Sequence, residues 1–392
     1  MNKVGSGSRP KHHLASNSNT KTKSQALALT MWMTIALVLS ASTETAHAAM
    51  ERIQVAPDGK GFITAQAQHR FVPWGMNYGN AGRLMEDFWD KDWGTLAGDF
   101  RKLKEMGANV VRVHLQFGKF MITQDQANPK ALKRLRRLLK LAEETGLYLD
   151  ITGLACYRPA DTPAWYDALG ETSRWTAQAN FWSAVAKTCR DSHIVFCYDL
   201  INEPLLPSGK RDAGQWRSGS LFGEYDFIQY IALDPAGRKW EDIAGAWLER
   251  MTGAIRKHDR SLITVGLLPV PLAWKDFSGF LRAAVAPKLD FLSVHIYPDS
   301  KKPGEELECL RQFAIGKPVV IEETFPLTCS AAELQTFLRA SRPYACGWLG
   351  HYDGYSLGEL ESLQKAGTLT LPQSIYLAWM QLFVRLKPEF MP

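Results

Sequence analysis

The sequence predicts an α/β protein built as a (β/α)8 TIM barrel with a short N-terminal β-hairpin. Between residues 71 and 384, eight short apolar runs alternate with eight segments of helical periodicity. The run at 194–201 is mostly apolar instead of alternating, which is typical of a parallel strand buried on both faces. Strand-then-helix repeats connect with right-handed crossovers, and eight of them close a barrel.

An N-terminal leader precedes the predicted barrel. Residues 1–23 are basic and rich in serine and asparagine, residues 26–39 are apolar, and Ala-His-Ala at 46–48 has the form of a cleavage signal. A bilayer span needs about 20 apolar residues, so this shorter run favours a cleaved signal peptide over an uncleaved anchor. We therefore expect export to the periplasm or the extracellular space, with no stable membrane insertion after cleavage.

The chain is predicted to divide into this leader at 1–48 and a single domain at 49–392. The domain starts with a hairpin over 52–69 that turns at Pro-Asp-Gly and lies beneath the barrel. The predicted strands are 71–76, 109–114, 147–152, 194–201, 262–267, 291–295, 319–323 and 345–349. The predicted helices are 95–106, 129–145, 175–189, 241–257, 280–285, 305–315, 331–339 and 373–384. A doubly wound open sheet is the alternative, but no glycine-rich phosphate loop follows the first strand.

The composition argues against several classes of protein. With 392 residues, 46% hydrophobic and 22% charged, the chain can bury a large core and does not have the composition of a disordered chain. Its formal net charge is +6, but the leader holds five lysine or arginine residues against one glutamate and so supplies most of that charge. We therefore expect no nucleic-acid partner. No Cys-x-x-Cys or His-Glu-x-x-His spacing indicates a metal site, and no cofactor is expected.

Polar side chains follow the C-terminal ends of the predicted strands, where barrels of this kind carry their chemistry. They are Arg112 and His114 from the second strand, Asn202 and Glu203 from the fourth, His295 and Tyr297 from the sixth, Glu322 and Glu323 from the seventh, and Trp348 and His351 from the eighth. A single strand-end glutamate is more often a cap or an ion-pair partner. Glutamates on two strands of one barrel, accompanied by these side chains, indicate hydrolysis of a glycosidic bond.

Four strand ends also carry longer motifs. They are Val-Arg-Val at 111–113, Asn-Glu-Pro at 202–204, Ser-Val-His-Ile-Tyr at 293–297 and Lys-Pro-Val-Val-Ile-Glu-Glu at 317–323. Asn-Glu-Pro alone is a weak signal, whereas four motifs in the right order on the right elements are much stronger. Together they resemble the strand 2, 4, 6 and 7 signatures of glycoside hydrolase family 5, the cellulase family of clan A, over most of the predicted barrel.

The resemblance implies retaining hydrolysis of a β-linked gluco- or manno-configured glycan. Glu203 would be the general acid and base, and Glu323 the nucleophile that forms a glycosyl-enzyme intermediate. In such enzymes the two carboxyl groups lie about 5 to 5.5 Å apart. The family places its nucleophile six residues after the lysine of this motif, which selects Glu323 over Glu322. Because neighbouring strand residues face opposite ways, Glu322 is then expected to point toward the helices.

The other candidates would support these two carboxylates. Arg112 would keep the nucleophile ionised, Tyr297 would donate a hydrogen bond to it, and His295 would tune the acid. Asn202 would hold the sugar 2-hydroxyl, a contact that strengthens in the transition state. His114 is a further candidate for substrate binding or support.

Two positions depart from the family pattern. The third strand carries Asp-Ile-Thr-Gly at 150–153, where a histidine is usual at the strand end. At the eighth strand, either Trp348 is the sugar-stacking tryptophan or His351 occupies that position. In addition, the connection 205–239 is long for a barrel loop, and its aromatic and basic residues either contact sugars or pack as a flap. The loop after the third strand faces the same side, and together the two loops are expected to narrow the cleft to a pocket, which favours short oligosaccharides or chain ends.

The sequence thus predicts an exported retaining β-glycosidase that acts on a carbohydrate substrate. The alternative is a catalytically silent barrel that binds carbohydrate or another protein, and the intact pair of Glu203 and Glu323 argues against it. A hydrolase of another bond type is not indicated, because the sequence contains no Gly-x-Ser-x-Gly elbow.

Overall fold

The computed structural model describes residues 50–212, 214–219, 225–268, 280 and 282–391. The predicted leader at 1–48 lies outside the described residues. Across the described part of the chain, no helix combines the length and the apolar character that crossing a bilayer requires.

A small antiparallel sheet precedes the barrel, in agreement with the predicted hairpin. Strands β1 (Ile53–Val55), β2 (Phe62–Thr64) and β3 (Arg70–Phe71) pair in that order. The ring of Phe62 lies 5.1 Å from the rings of both Phe196 and Phe291, which stand at the N-terminal ends of two barrel strands. The small sheet therefore covers the N-terminal end of the barrel.

The eight parallel strands of the barrel follow the small sheet. Strands after β3 are β4 (Trp74–Gly79), β5 (Val110–Gln116), β6 (Tyr148–Ala155), β7 (Val195–Asn202), β8 (Pro204–Leu205), β9 (Gln229–Tyr230), β10 (Leu262–Leu267), β11 (Leu292–His295), β12 (Val319–Glu323) and β13 (Gly347–Asp353). A closed barrel forms in the order β10-β11-β12-β13-β4-β5-β6-β7, and its neighbouring strands are parallel. Strands β8 and β9 form a separate two-stranded sheet. The prediction of a (β/α)8 barrel is confirmed.

Helices connect the barrel strands. They are α1 (Trp93–Glu105), α2 (Phe117–Phe120), α3 (Pro129–Thr145), α4 (Ala164–Asp167), α5 (Glu171–Cys189), α6 (Trp240–Arg256), α7 (Arg282–Val285), α8 (Glu305–Arg311), α9 (Ala331–Ser341), α10 (Leu357–Ala366) and α11 (Leu371–Phe390). Helix α3 has the predicted bounds, because Asn128 caps its first turn and Gly146 ends it in the left-handed conformation. Helix α10 was not predicted. It buries only Leu360, so its sequence has little apolar periodicity.

Several barrel strands extend past their apolar runs. The predicted ends of β4, β6 and β13 lie several residues before the observed ends at Gly79, Ala155 and Asp353. In the added part, Asn77 of β4 pairs with His351 of β13. These strand ends combine ladder pairing with buried apolar side chains, such as Leu154 and Tyr352, and with buried polar ones, such as Asn77.

The interior of the barrel has two unlike halves. The half near the N-terminal strand ends, called the lower lumen below, is lined by the apolar side chains of Val110, Phe196, Phe291, Val320 and Leu349. The half further along the same strands, called the upper lumen, is lined by the buried polar side chains of Arg112, Asp150, Asp199, Thr264, Ser293, His295 and Glu322. The candidate site lies at the open end of the upper lumen.

Candidate active site

A bulge directs the end of β7 into the barrel. Asp199 pairs with Thr264 but Asn202 pairs with Gly266, so β7 contains one more residue than β10 between these points. Glu203 follows with a φ of 48°, in the left-handed region that residues with a side chain rarely adopt. Strained backbone of this kind is characteristic of functional positions, where the surrounding structure must hold it in place.

A second bulge lies in β12. Val294 pairs with Ile321 and His295 pairs with Glu323, so Glu322 is the additional residue. Glu322 is fully buried and faces the upper lumen, where its Oε2 lies 3.3 Å from His295 Nε2. The prediction that Glu322 points toward the helices is wrong. The alternation of side chains along a strand does not hold across a bulge, so two consecutive glutamates share the barrel interior.

The carboxylate of Glu323 is bound at both oxygens. Arg112 Nη1 donates to Oε1 at 2.5 Å, and the hydroxyl of Tyr297 donates to Oε2 at 2.5 Å. Burial alone would raise the pKa of Glu323, but the charges of His295 and Arg112 outweigh burial and hold that pKa well below its usual range. Glu323 is therefore ionised at any physiological pH.

Glu203 lies across the site from Glu323. One carboxylate oxygen of each residue falls within 4.8 Å of the other, together with a ring nitrogen of His295. The exposed fractions of the two side chains are 12% for Glu203 and 11% for Glu323. A ligand can therefore reach both carboxylates, but only through a narrow opening.

His295 is enclosed by three carboxylates. Its Nδ1 lies 2.8 Å from Glu203 and 3.5 Å from Glu323, and its Nε2 lies 3.3 Å from Glu322. Burial would lower the pKa of His295, but the charge of Glu323 and the hydrogen bonds to Glu203 and Glu322 outweigh burial and raise it to about 10. At neutral pH His295 is therefore an imidazolium that donates from both nitrogens.

Arg112 organises the upper lumen from β5. Its Nη1 donates to Glu323 and, at 2.8 Å, to Asn77 Oδ1, while its Nη2 donates to Asp199 at 2.6 Å and to Asn202 Oδ1 at 3.0 Å. The guanidinium is fully buried, so these contacts are not weakened by solvent. The amide nitrogen of Asn202 also donates to the carbonyl of Phe227 at 3.1 Å.

Gly266 of β10 leaves the room that these groups occupy. A Cβ at this position would lie 2.6 Å from His295 Nε2 and 2.8 Å from Glu322 Oε2, closer than a Cβ packs against other heavy atoms. A side chain at residue 266 would therefore displace the imidazolium or the carboxylate beneath the site.

His114 is neutral and held in one tautomer. The amide nitrogen of Asn77 donates to the carbonyls of Glu322 and Gly350, so Asn77 Oδ1 is the acceptor for His114 Nε2, 3.3 Å away. His114 Nδ1 then accepts from the hydroxyl of Tyr157 at 2.5 Å. Burial and the charge of Arg112 lower the pKa of His114, in agreement with a neutral ring.

Trp348 is not part of the site, and its prediction as a substrate-binding residue is wrong. The side chain points outward from β13 into the helical layer, where its indole N–H donates to Ser341 Oγ at 2.8 Å and its ring packs against Trp74 and Phe390. Only 5% of Trp348 is exposed. The strand was predicted to end before His351, which placed Trp348 too near the strand end.

His351 takes the position beside the nucleophile candidate. Its ring stacks on that of Tyr297 with an interplanar angle of 14°, and its Nε2 lies 2.8 Å from the Tyr297 hydroxyl. Since this hydroxyl donates to Glu323, His351 Nε2 carries the proton and donates to the tyrosine oxygen. Of the two residues considered at the eighth strand, His351 therefore lies beside Glu323 and Trp348 does not.

Among the described residues, two groups of side chains have oxygen, nitrogen or sulfur atoms close enough to share a cation. One is Glu203, His295 and Glu323, and the other is Asp150, Cys197 and Glu322. A protonated imidazole has no free lone pair, so the first group is not a ligand set while His295 is charged. In the second group, burial raises the pKa of the Cys197 thiol well above its usual value, so the thiol stays protonated.

The long connection between Glu203 and α6 packs over one side of the site. The Asp226 amide donates to the Tyr157 carbonyl at 2.8 Å, and the Phe227 ring contacts the Tyr157 ring edge-on. The hydroxyl of Tyr225 donates to the carbonyl of Gly82 in the loop after β4. The connections that follow β4, β6 and β7 therefore meet beside the carboxylates.

Trp216 of this connection is structural. Its indole N–H donates to Asp167 Oδ1 at 2.9 Å, and its ring is covered by Arg174 and Arg217. Only 1% of it is exposed, so it does not stack on a sugar. Trp216 therefore belongs to a packed flap and does not contact sugars. Residues 220–224 of the same connection lie outside the described residues.

The candidate site contains residues that were not predicted. Asn77, Tyr157 and Asp199 all bind predicted members of the site. Asp199 carried a visible signal, because an acid inside an apolar strand requires a buried partner. Asn77 directly follows the predicted first strand and fits the same strand-end rule. Tyr157 lies in a loop, where no periodicity marks it.

Comparisons with known proteins identify the family of the chain. The model of the family described as "Cellulase (glycosyl hydrolase family 5)" matches residues 69–325, well over half of the 392 residues. No curated protein matches the chain.

Solved structures share the fold at low sequence identity. The exo-β-1,4-mannosidase Op5Man5 from Opitutaceae bacterium strain TAV5 is 17% identical with a TM-score of 0.62, and the match covers 86% of this chain and 62% of that one. The β-1,4-mannanase of the sea hare Aplysia kurodai is 13% identical with a TM-score of 0.55, covering 86% and 97% of the two chains. The β-glucanase SdGluc5_26A from Saccharophagus degradans is 14% identical with a TM-score of 0.55, covering 87% and 94%.

The chain thus spans less than two thirds of the mannosidase that it matches. The family match includes β4 to β12 and with them Arg112, Glu203, His295 and Glu323. The chain belongs to glycosyl hydrolase family 5.

Proposed function

We propose that the protein is a retaining β-glycosidase that cleaves a β-linked gluco- or manno-configured oligo- or polysaccharide by double displacement. The observation that carries this proposal is the approach of Glu203 and Glu323, whose nearest oxygens lie within 4.8 Å. Retaining enzymes hold their carboxyl groups about 5 to 5.5 Å apart, whereas inverting enzymes need about 6.5 to 9.5 Å to admit a water molecule.

In the first step, the ionised Glu323 attacks the anomeric carbon and the glycosidic C–O bond breaks. Glu203 gives its proton to the departing oxygen, which leaves as an alcohol. Arg112 and Tyr297 orient Glu323 through one oxygen each. These two hydrogen bonds fix the plane of the carboxylate and leave one lone pair on each oxygen, so that Glu323 is oriented for attack.

In the second step, the Glu203 carboxylate removes a proton from water, and the resulting hydroxide attacks the anomeric carbon. The bond between that carbon and Glu323 breaks, and both carboxyl groups return to their starting states. The imidazolium of His295 stabilises Glu203 in its ionised state between the two steps, since Nδ1 donates to it at 2.8 Å. Two inversions give a product with the β configuration of the substrate.

Removing each carboxylate tests the assignment of roles. Glu203→Ala should still react with substrates that have good leaving groups, and azide should restore turnover with a β-configured product. Glu323→Gly should be nearly inactive, and azide should give an α-configured product. Glu308→Ala, at an exposed glutamate of α8, is the control and should not respond to azide. Equal azide products from both site variants would contradict the roles.

The site geometry favours short oligosaccharides or chain ends as substrates. The carboxylates are nearly covered, and the contact of Tyr225 with Gly82 closes the cleft on one side. Matched structures include an exo-mannosidase, mannanases and a glucanase, so β-mannosides and β-glucosides are the first substrates to test. Early release of monosaccharide or disaccharide from oligosaccharides is expected, and Tyr225→Ala should increase attack on polysaccharide. A mixture of long products from the unchanged enzyme would contradict this.

We also propose that the chain is exported, on the basis of its leader. N-terminal sequencing of protein from its native host should find a start near residue 49 and a location outside the cytoplasm. Retention of the apolar segment at 26–39 would contradict this proposal.

A further inference from the structure

Glu322 is a buried carboxylate to which the double displacement assigns no role. Its Oε1 accepts from Ser293 Oγ at 3.0 Å, and its Oε2 lies 3.3 Å from His295 Nε2 and 3.6 Å from Arg112 Nη2. None of the side chain is exposed. Burying an ionised carboxylate costs desolvation free energy, which only nearby partners can offset. Of the partners of Glu322, His295 also contacts Glu203, so a catalytic role of Glu322 would act through His295.

The buried acid next to Glu322 does not carry the charge. Burial and the charge of Glu322 raise the pKa of Asp150 well above its usual value, and neither of its oxygens has a hydrogen-bond donor among the described residues. For Glu322 the charges of Arg112 and His295 outweigh burial and lower the pKa. Of the two acids, Asp150 is therefore neutral and Glu322 ionised.

His295 connects Glu322 to the catalytic pair. Its two ring nitrogens point in opposite directions, Nε2 to Glu322 and Nδ1 to Glu203. A carboxylate at Nε2 fixes a proton there and favours a second proton on Nδ1, so that Nδ1 donates to Glu203 Oε1. With Oε1 occupied as an acceptor, the acidic proton of Glu203 stays on Oε2.

We propose that Glu322 is a positioning residue that keeps His295 doubly protonated, so that Glu203 always presents its acidic proton to the glycosidic oxygen. This inference rests on the proposed function, because it requires Glu203 to be the general acid. Without the charge of Glu322, a neutral His295 can accept the proton of Glu203 at Nδ1. The acid would then point into the barrel and away from the substrate.

Of the carboxylates around His295, only Glu322 keeps the same charge throughout the reaction. The charged and titratable groups that face it are Glu203 from the end of β7, Glu322 and Glu323 from β12, Arg112 and His114 from β5, and His351 from β13. Arg112 opposes a proton on His295, and burial keeps His114 and His351 neutral. Glu203 and Glu323 both change charge or become esterified during the reaction. Glu322 alone keeps a constant negative charge on the imidazolium through both steps.

The variant Glu322→Gln tests the proposal, because the amide keeps the size and the acceptor oxygen but removes the charge. On aryl glycosides with good leaving groups, which need no proton, the glycosylation rate should fall less than about threefold. On alkyl glycosides or oligosaccharides the glycosylation rate should fall roughly 10- to 100-fold. This loss is part of the roughly 10²- to 10⁴-fold rate enhancement that general acid catalysis supplies. An equal loss on both substrate types would overturn the proposal, since a merely structural defect does not distinguish leaving groups.

The variant Ser293→Ala is the matched control. It removes the hydrogen bond to Glu322 Oε1 but leaves the charge of Glu322 in place. Its leaving-group dependence should match that of the unchanged enzyme. A steeper dependence in Ser293→Ala than in Glu322→Gln would attribute the effect to packing and contradict the proposal.

The protonation of His295 can also be read without any substrate. Nitrogen-15 NMR of the ring nitrogens, assigned by the loss of signals in His295→Gln, should show an imidazolium in the unchanged enzyme at pH 8. In Glu322→Gln, the imidazolium of His295 should lose its proton at a lower pH than in the unchanged enzyme. A neutral His295 at pH 8 in the unchanged enzyme overturns the inference even if Glu322→Gln fails to fold. Azide rescue of Glu203→Ala and Glu323→Gly tests the proposed function separately.

Discussion

The lower and upper lumen are formed by the same eight strands, but apolar side chains line the first and buried polar side chains line the second. In the lower lumen, Phe62 of the small sheet packs against Phe196 and Phe291 with edge-to-face contacts, and no charge is present among the residues that define it. In the upper lumen, Arg112 and His295 are surrounded by carboxylates at hydrogen-bond distance. Burial of apolar side chains stabilises the fold, whereas burial of charges costs desolvation free energy that their partners offset only in part.

This difference indicates which half of the barrel mainly stabilises the fold and which half carries the function. The lower lumen can lose a side chain without any effect on the reacting groups. The upper lumen contains the charged groups, and its bulges, one between Asp199 and Asn202 and one at Glu322, direct additional polar side chains into the barrel. Changes in the lower lumen should therefore alter the free energy of unfolding, and changes in the upper lumen should alter the rate.

The largest expected effect is the loss of activity in Glu323→Ala. Removal of the nucleophile should lower kcat by a factor on the order of 10⁴ or more, since no other group can form the covalent intermediate. Steady-state kinetics on an aryl glycoside measure it, with thermal unfolding as the check on folding. Activity that survives Glu323→Ala but not Glu322→Ala would reverse the assignment of the nucleophile.

The next effect is on stability, in the lower lumen. Phe196→Ala should reduce the free energy of unfolding by about 3 to 5 kcal/mol, because a fully buried ring leaves a cavity. The folded fraction should keep kcat/KM within about threefold, as the ring touches no reacting group. Urea titration gives the stability, and Leu371→Ala, at a side chain that is 76% exposed, is the control. A large drop in kcat for the folded fraction would show that the two halves are not independent.

A smaller effect with an unusual sign is expected at Asp150. Its pKa is raised in the folded state by burial and by Glu322, whereas an unfolded aspartate titrates at about 3.9. Above that pH the folded state binds more protons than the unfolded state, so this group lowers stability as pH rises toward the folded pKa. Asp150→Asn removes the penalty and should raise the melting temperature at pH 7, with the gain shrinking toward pH 4. A lower melting temperature at pH 7 would mean that Asp150 is ionised.

The smallest effect distinguishes the helical layer from the lumen. Trp348→Phe should leave KM within about twofold, because the indole faces helices, and should cost about 1 kcal/mol for the lost hydrogen bond to Ser341. Substrate titration and urea unfolding measure the two quantities. A rise in KM of tenfold or more, without a loss of stability, would place Trp348 in contact with sugar after all.

The fold could be read from the sequence because the barrel depends on apolar runs and helical periodicity. The bounds of α3, β10 and β12 were predicted as observed. Polar strand ends were the weak point, since β13 extends past its apolar run and carries His351 in place of the predicted Trp348. Hydrophobic patterning does not mark the end of a strand once polar side chains interrupt its apolar run.

The site was predictable where it depends on motifs and not where it depends on backbone irregularities. Arg112, His295 and Tyr297 lie beside the carboxylates with which they were paired. The orientation of Glu322 could not be predicted, because a bulge has no marker in its own strand sequence. Asn77 and Tyr157 join the site through side-chain hydrogen bonds to Arg112 and His114, which neither composition nor periodicity records.

Proton NMR of the product in the first seconds of hydrolysis tests the central claim most directly. A β-configured substrate cleaved by the unchanged enzyme should release the β-anomer first, followed by slow mutarotation to the equilibrium mixture, because Glu323 and Glu203 each direct one inversion at the anomeric carbon. Initial release of the α-anomer would contradict double displacement and with it the role of Glu323 as nucleophile.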